Sequence, residues 1–316
     1  MAKNFSQNSS STNYTAKFQQ FKTSKENLVN FNSNNLEHYN RLFSKQELID
    51  AIHQSTDTAV GSDDIHYQFL KHLPEISLEL LLTIFNNIWV GGIFPSIWQE
   101  AILIPVLKPG KDDADPNSYR PIALTSCVCK ILERMINKRL VYYLESNDLL
   151  TDIQSGFRKQ RCTTDQLVQL ETWVREGLAN GEHVVAVFFD LEKAYDTTWK
   201  HGILLDLFEA GLRGRLPIFI SKFLSNRQFK VRIGSTLSDL CDQEMGVPQG
   251  SILSVTLFGL KINSIVKCLT PATQGSLFVD DFLACCRSKQ MRSIERQLQR
   301  TLNNLQKWAD ENGFRF

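Results

Sequence analysis

Val184-Val185-Ala186-Val187-Phe188-Phe189-Asp190 is an apolar run that ends in a carboxylate, and Ser276-Leu277-Phe278-Val279-Asp280-Asp281-Phe282-Leu283-Ala284 carries two more carboxylates inside a second run. Each run has the length and composition of a strand buried on both faces. A carboxylate at the end of such a strand is costly unless a cation neutralises it. Asp190, Asp280 and Asp281, converging from two neighbouring strands, would line a site with oxygen and suit magnesium. Two metals held that way clamp the attacking and leaving oxygens of a phosphoryl displacement. The three aspartates are therefore expected together at one end of a small antiparallel sheet. Where no metal is bound, crowding of like charges should push their carboxyl groups up.

The rest of the composition sets bounds. The 316 residues are 42% hydrophobic and 22% charged, enough for a sizeable core in one large or two smaller domains. The net charge of +1 provides no global basic field, which argues against a simple nucleic-acid binder. It argues less against an enzyme whose acidic metal ligands offset its basic contacts. Seven cysteines occur without a C-x-x-C pair; Cys127 and Cys129 are two apart, and Cys285 and Cys286 adjoin. Neither spacing suits zinc or a disulfide framework, so reduced, buried thiols and no zinc are expected. No apolar stretch approaches the ~20 residues of a bilayer span, and Met1 to Ser6 lacks a signal core. An intracellular location, cytoplasm or nucleus, with no membrane partner, is the expectation.

Along the chain, residues 1–42 are rich in Ser, Asn, Thr and Gln and read as a flexible leader. Ser44-Lys45-Gln46-Glu47 is a capping box that opens a helix. Helical spacing follows from Leu78 to Val90, with Leu81, Leu82, Phe85, Ile88 and Trp89 on one face and Gly91-Gly92 as the stop. Ala101 to Leu107 reads as a strand, closed by the turn residues Lys108-Pro109-Gly110-Lys111-Asp112. Helices are predicted over 126–144, from Thr163 to Leu178, around 203–208, over 252–266, and through Ile294, Leu298, Leu302, Leu305 and Trp308. Phe229 to Gly234 begins a hairpin.

Four further motifs carry chemistry. Ile104-Pro105, Lys108 to Asp112 and Ser118-Tyr119-Arg120-Pro121-Ile122-Ala123-Leu124 place cations where a triphosphate could be gripped, Arg with a planar fork; a lysine-rich surface turn is the plainer reading. Gln154-Ser155-Gly156-Phe157-Arg158-Lys159-Gln160-Arg161 gathers Arg158, Lys159 and Arg161 just before a helix N-terminus, which suits a phosphate backbone; a solvated helix-entry loop is the alternative. Leu191-Glu192-Lys193-Ala194-Tyr195-Asp196 extends the first acidic strand. In Met245-Gly246-Val247-Pro248-Gln249-Gly250-Ser251 the glycines permit close backbone approach and the proline stiffens the turn.

Together, and in this order, the motifs resemble the reverse transcriptase domain of non-LTR (LINE-type) retrotransposons, the jockey-like group in particular, from about Phe43 to the C-terminus. The resemblance implies an α+β fold with right-hand polymerase fingers and palm, the palm an antiparallel sheet backed by helices. It divides the chain into the leader 1–42, an N-terminal extension with fingers and first palm helices at 43–182, and a palm at 183–316. It implies RNA-directed DNA polymerisation with two magnesium ions (manganese an alternative), an RNA template, a DNA primer and dNTPs. Asp190, Asp280, Asp281 and the backbone of Leu191 would hold metal. Lys108, Arg120, Tyr195 and Gln249 would meet the nucleotide, with Tyr195 blocking a ribose 2′-hydroxyl. Lys111, Arg158, Lys159, Arg161, Gly246, Pro248 and Gly250 would lie along the nucleic acid. Asp196 reads as structural. The chain departs from the common pattern at Val279, where Ala is usual, and at 254–258, which lack a proline. Its end at Phe316 precedes the family's thumb, so a truncated fragment is expected, with an inactive remnant or nucleic-acid-binding fragment as the alternative.

Overall fold

The computed structural model describes residues 1–26 and 29–316. Helices α1 (Ala2–Asn8), α2 (Ala16–Lys25), α3 (Lys45–His53), α4 (Tyr67–Lys71) and α5 (Glu75–Gly91) precede strands β1 (Glu100–Leu107) and β2 (Tyr119–Leu124). Then come α6 (Cys127–Ser146), α7 (Thr163–Ala179), β3 (His183–Phe189), α8 (Ala194–Thr197), α9 (Lys200–Glu209) and α10 (Arg215–Leu224). Strands β4 (Gln228–Ile233), β5 (Thr236–Leu237) and β6 (Cys241–Asp242), helix α11 (Ile252–Ile262), strands β7 (Thr273–Phe278) and β8 (Asp281–Ser288), and α12 (Met291–Asn312) complete the chain.

Two sheets organise these elements. The acidic strands form an antiparallel sheet in the order β3-β8-β7. The other sheet runs β2-β1-β4-β5, with β6 also paired to β4. Here β1 and β2 are an antiparallel hairpin, whereas β1 and β4 are parallel. Thus β4 to β6, placed by sequence with the second part of the chain, belong to the sheet of the first. One hydrophobic cluster also extends from Phe31 to Phe314, so position 182 does not separate two cores. The cause is the parallel pairing itself, which needs a long crossover and so joins distant segments.

Helix starts follow their local chemistry. The Ser44 hydroxyl and the Glu47 carboxylate form the expected capping box. The N-terminus of α11 is capped from a distance: the buried Glu133 carboxylate on α6 accepts from the backbone of Ile252 at 2.9 Å and Leu253 at 3.3 Å. A carboxylate there satisfies free amides and complements the helix dipole. This contact anchors the turn 245–251 to the core helix. α11 ends at Ile262 rather than at 266, and a 3-10 turn, Asn263–Cys268, continues it. On α12, Ile294, Leu298, Leu305 and Trp308 are buried while Leu302 is exposed. On α5, Phe85 and Trp89 are fully buried, and Leu81, Leu82 and Ile88 pack partly buried beside them.

Three expectations need correction. Residues 1–26 are docked rather than loose (27 and 28 lie outside the described residues). Phe5 packs with Ala101, Leu103, Ala123, Phe229 and Val231. Tyr14 and Phe18 pack with Trp199 and Met245, and the Tyr14 hydroxyl donates to the Thr197 carbonyl at 2.7 Å. Each such aromatic buries a large area, so three of them hold an otherwise polar segment. α10 arises in a stretch assigned no element by sequence; its Pro217 occupies the first turn, where a missing N–H costs little. Cys162 is exposed and Cys241 half-exposed, whereas the other five cysteines are buried. Among the described residues no helix is long and apolar enough to cross a membrane.

Candidate active site

The β7–β8 hairpin pairs Phe278 with Asp281. Val279 and Asp280 are therefore its two-residue turn. Strand β3 pairs Phe189 with Phe282, which puts Asp190 one step beyond that pair, opposite Asp281. All three carboxylates thus lie at one end of the sheet. Leu191 buries its side chain in the core beside Asp190. Burial pushes the Asp280 carboxyl up, and the charges of Asp281 and Asp190 push it further; Arg120 opposes them. Burial and then Asp190 push Asp281 up as well. These are the signs of like charges crowded together. Among the described residues no group of three acidic, His or Cys side chains is arranged closely enough to hold a metal ion. The donors are all hard oxygens, which fits magnesium rather than a softer metal.

Asp280 and Asp281 border an open pocket of about 360 Å³ with Ile122, Tyr195, Gln249 and Gly250 on its walls. Tyr195 stacks on Phe258, ring centroids 4.5 Å apart at 21°. Burial and the nearby Asp280 charge push its hydroxyl well up, so it stays neutral. The turn 245–251 lies against the segment that carries Tyr195. The Gly246 amide donates to the Thr198 carbonyl at 2.8 Å, and the Val247 amide to the Tyr195 carbonyl at 2.9 Å. Gly246 has φ +80°, and a Cβ there would sit 2.5 Å from the Tyr195 oxygen. A Cβ on Gly250, at φ +125°, would meet the Ala123 oxygen at 2.5 Å. Both glycines therefore admit neighbouring backbone, and Gly246 and Pro248 are buried rather than turned to a strand of nucleic acid. Gln249 donates to the Asp196 carboxylate at 2.9 Å while its carbonyl accepts from Ala123 at 2.6 Å.

The cations divide into two groups. Arg120 is exposed on β2 and acts on Asp280. The Lys108 ammonium donates to the Asn117 carbonyl at 3.4 Å. Lys193 donates to the Asn117 side-chain oxygen at 3.2 Å and to that of Asn8 at 2.9 Å. Lys108 and Lys193 thus meet at Asn117, beside Asp196, whose carboxyl both hold down. Sequence reading passed over Lys193; the one signal was a basic residue between Asp190 and Tyr195. Lys111 lies exposed in the loop after β1. The basic loop before α7 behaves otherwise. Arg158 grips both Glu145 oxygens, at 2.9 and 2.5 Å, and donates to the Thr151 carbonyl at 2.7 Å. Arg161 pairs with Asp152 at 3.1 Å. These two guanidinium groups brace the loop instead of reaching outward, and of the three cations only Lys159 is fully exposed.

A sequence profile described as reverse transcriptase (RNA-dependent DNA polymerase) matches residues 106–316. The chain belongs to the reverse transcriptase family. It is 32% identical over 262 residues to the RNA-directed DNA polymerase from mobile element jockey of Drosophila melanogaster, a match covering 80% of this chain and 28% of that protein. It is 29% identical over 265 residues to a probable RNA-directed DNA polymerase from transposon X-element of the same species, covering 82% and 29%. A Pol polyprotein from type-1 retrotransposable element R2 of Popillia japonica is 26% identical over 261 residues, covering 78% and 35%. The chain therefore spans less than a third of the length of the first two.

As a reverse transcriptase domain of mixed helix and sheet, the molecule places a titratable group next to its pocket. Burial pushes the Asp196 carboxyl from its ordinary 3.8 up to about 6, against the Gln249 hydrogen bond and the charges of Lys193 and Lys108. Folding thus favours its protonated form. That stability is full below the unfolded value and is lost as pH rises through about 6. Asp196→Asn keeps the oxygen that Gln249 bonds and removes the ionisation. It is expected to raise the unfolding free energy by up to about 3 kcal/mol near pH 8, at roughly 1.4 kcal/mol per pKa unit, and to change it little near pH 4. Urea unfolding at the two pH values checks this; an equal gain at both would place the effect elsewhere.

Proposed function

We propose that this chain is the fingers and palm of an RNA-directed DNA polymerase that adds dNTPs to a DNA primer on an RNA template. In this reading β1, β2 and β4 are the fingers sheet, and β3, β8 and β7 the palm. The observation that carries it is the convergence of Asp190, Asp280 and Asp281 at one sheet end, where Asp280 and Asp281 share an open pocket with Tyr195 and the charge of Arg120 reaches Asp280. The carboxylates, with the Leu191 backbone, would hold two magnesium ions, which supply charge for the attacking 3′-oxygen and the pyrophosphate when bound. Arg120, whose charge reaches Asp280, and Lys108 and Lys193, whose charges reach Asp196, would orient the triphosphate. Lys111 extends that charge along the loop. Tyr195 would stand where the sugar sits, and Gln249, braced by Asp196, would border the base. Lys159 and Gly250, both exposed, are the remaining contacts with nucleic acid.

Phosphate contacts weaken with salt, so the test is a single-nucleotide extension of a DNA primer on RNA at low ionic strength. Magnesium-dependent addition of the templated dNTP, abolished by chelation, is the expected result. Retention of the primed template with no extension under any magnesium or manganese concentration would overturn the enzymatic reading.

A further inference from the structure

Val279, in the turn that carries Asp280, has φ +59°. That region is strained for a β-branched residue and needs support from its surroundings. The support comes from a distant segment. Gln154 is 3% exposed. Its side-chain oxygen accepts from the Val279 amide at 3.0 Å, and its side-chain nitrogen donates to the Val279 carbonyl at 3.2 Å. One amide therefore holds both backbone polar groups of the strained residue. The same Gln154 oxygen accepts from the Gly156 amide at 2.7 Å, which fixes its orientation.

The clamp is itself anchored. The Ser155 amide donates to the Leu277 carbonyl at 2.9 Å, and the Leu277 amide to the Ile153 carbonyl at 3.0 Å. Residues 153–155 thus run parallel beside β7. A Cβ on Gly156 would lie 2.5 Å from the Val279 nitrogen and 2.6 Å from its side chain, so only glycine lets the segment approach this closely. Braced by Arg158 on Glu145, the loop is a fixed support against which the hairpin tip rests.

We propose that Gln154 is a positioning residue for Asp280: its amide locks Val279 in the left-handed turn and so fixes where the Asp280 carboxylate points. This rests on the reading of Asp280 as a metal ligand. Freed of the clamp, Val279 would relax towards ordinary backbone angles and swing its neighbour away. Glycine at 279 adopts the same turn without strain, so it would make the clamp dispensable.

The test uses Gln154→Ala, Val279→Gly and the double variant in the full 316-residue chain. Mn2+ affinity is read by electron paramagnetic resonance, and stability by thermal unfolding. Gln154→Ala is expected to weaken Mn2+ binding by about 10–100-fold, the range for groups that orient metal ligands. In the Val279→Gly background the same change should cost under about 3-fold in affinity, far below that range, and the two substitutions should be non-additive in melting temperature. If Gln154→Ala fails to fold and the double variant folds, the clamp on Val279 is supported directly. Equal losses in both backgrounds, or no loss in either, would overturn the proposal. A parent chain that binds no Mn2+ would overturn the metal reading and the positioning role with it, even where the two residues remain coupled in stability.

Discussion

Asp190→Asn and Asp280→Asn should each lower nucleotide addition by at least about 100-fold, above the range seen when only the groups supporting a metal ligand are lost. The amide keeps the shape of the side chain and removes its charge. Two cations on a phosphoryl group need that charge, because each carboxylate offsets part of the ionic repulsion between them. Asp281 is exposed at the start of β8, and its neutralisation should cost less than either of the others. Stability should move the opposite way. Burial and the neighbouring carboxylates push Asp280 up, so its ionised form opposes folding, and Asp280→Asn should make the metal-free chain more stable near pH 7. Loss of activity together with a raised melting temperature would separate a lost metal ligand from a damaged fold. A variant that retained near-parental extension rates would remove that aspartate from the site.

Tyr195→Ala or Tyr195→Val should relax discrimination against ribonucleotides by about 10–200-fold, the range that a small steric difference in a pocket supports. The ring is held at the pocket wall by its stack on Phe258. The hydroxyl stays protonated because burial and the Asp280 charge both disfavour the phenolate. A neutral, rigid ring can exclude an added hydroxyl without repelling the incoming phosphates. The measurement is the ratio of kcat/KM for a dNTP over the matching ribonucleotide. Incorporation of ribonucleotides no better than in the parent would show that exclusion lies elsewhere in the pocket. The Phe258 partner gives a second check, since its loss should loosen the ring and relax selectivity by a smaller factor.

Lys193 and Arg158 illustrate how far charge can be read from the chain. Both are basic residues beside motifs, and sequence reading treated Arg158 as a phosphate contact and gave Lys193 no role. The fold reverses their prospects. Arg158 lies within reach of Glu145 at the end of α6 and is neutralised there. Lys193, turned by a left-handed backbone at φ +48°, donates to the side-chain oxygens of Asn8 and Asn117 and acts on the Asp196 carboxyl. A partner for a charge is chosen by distance in space, which no spacing along the chain records. The docking of residues 1–26 is a similar case: composition spoke for a loose segment, and three aromatic side chains found apolar surfaces more than 80 residues away along the chain.

What could be read correctly was local. The capping box at Ser44 and Glu47 is a contact between residues three apart, so its four letters suffice. The apolar runs before Asp190 and on either side of Asp280 declare themselves as strands because their composition is local. Burial on both faces, however, holds only for the middle of β7 and β8; every residue of β3 is at least partly exposed, Phe188 by 72%, because β3 lies at the edge of its sheet. The glycines at 246 and 250 mark positive φ and close approach, though which backbone approaches, Tyr195 in one case and Ala123 in the other, is invisible until the chain is folded. The parallel pairing of β1 with β4, the burial of Glu133 under α11 and the hold of Gln154 on Val279 belong wholly to tertiary structure. Each joins residues separated by more than 100 positions, and its energy depends on packing that brings them together, whereas backbone propensity and hydrophobic period act within a few residues of one another.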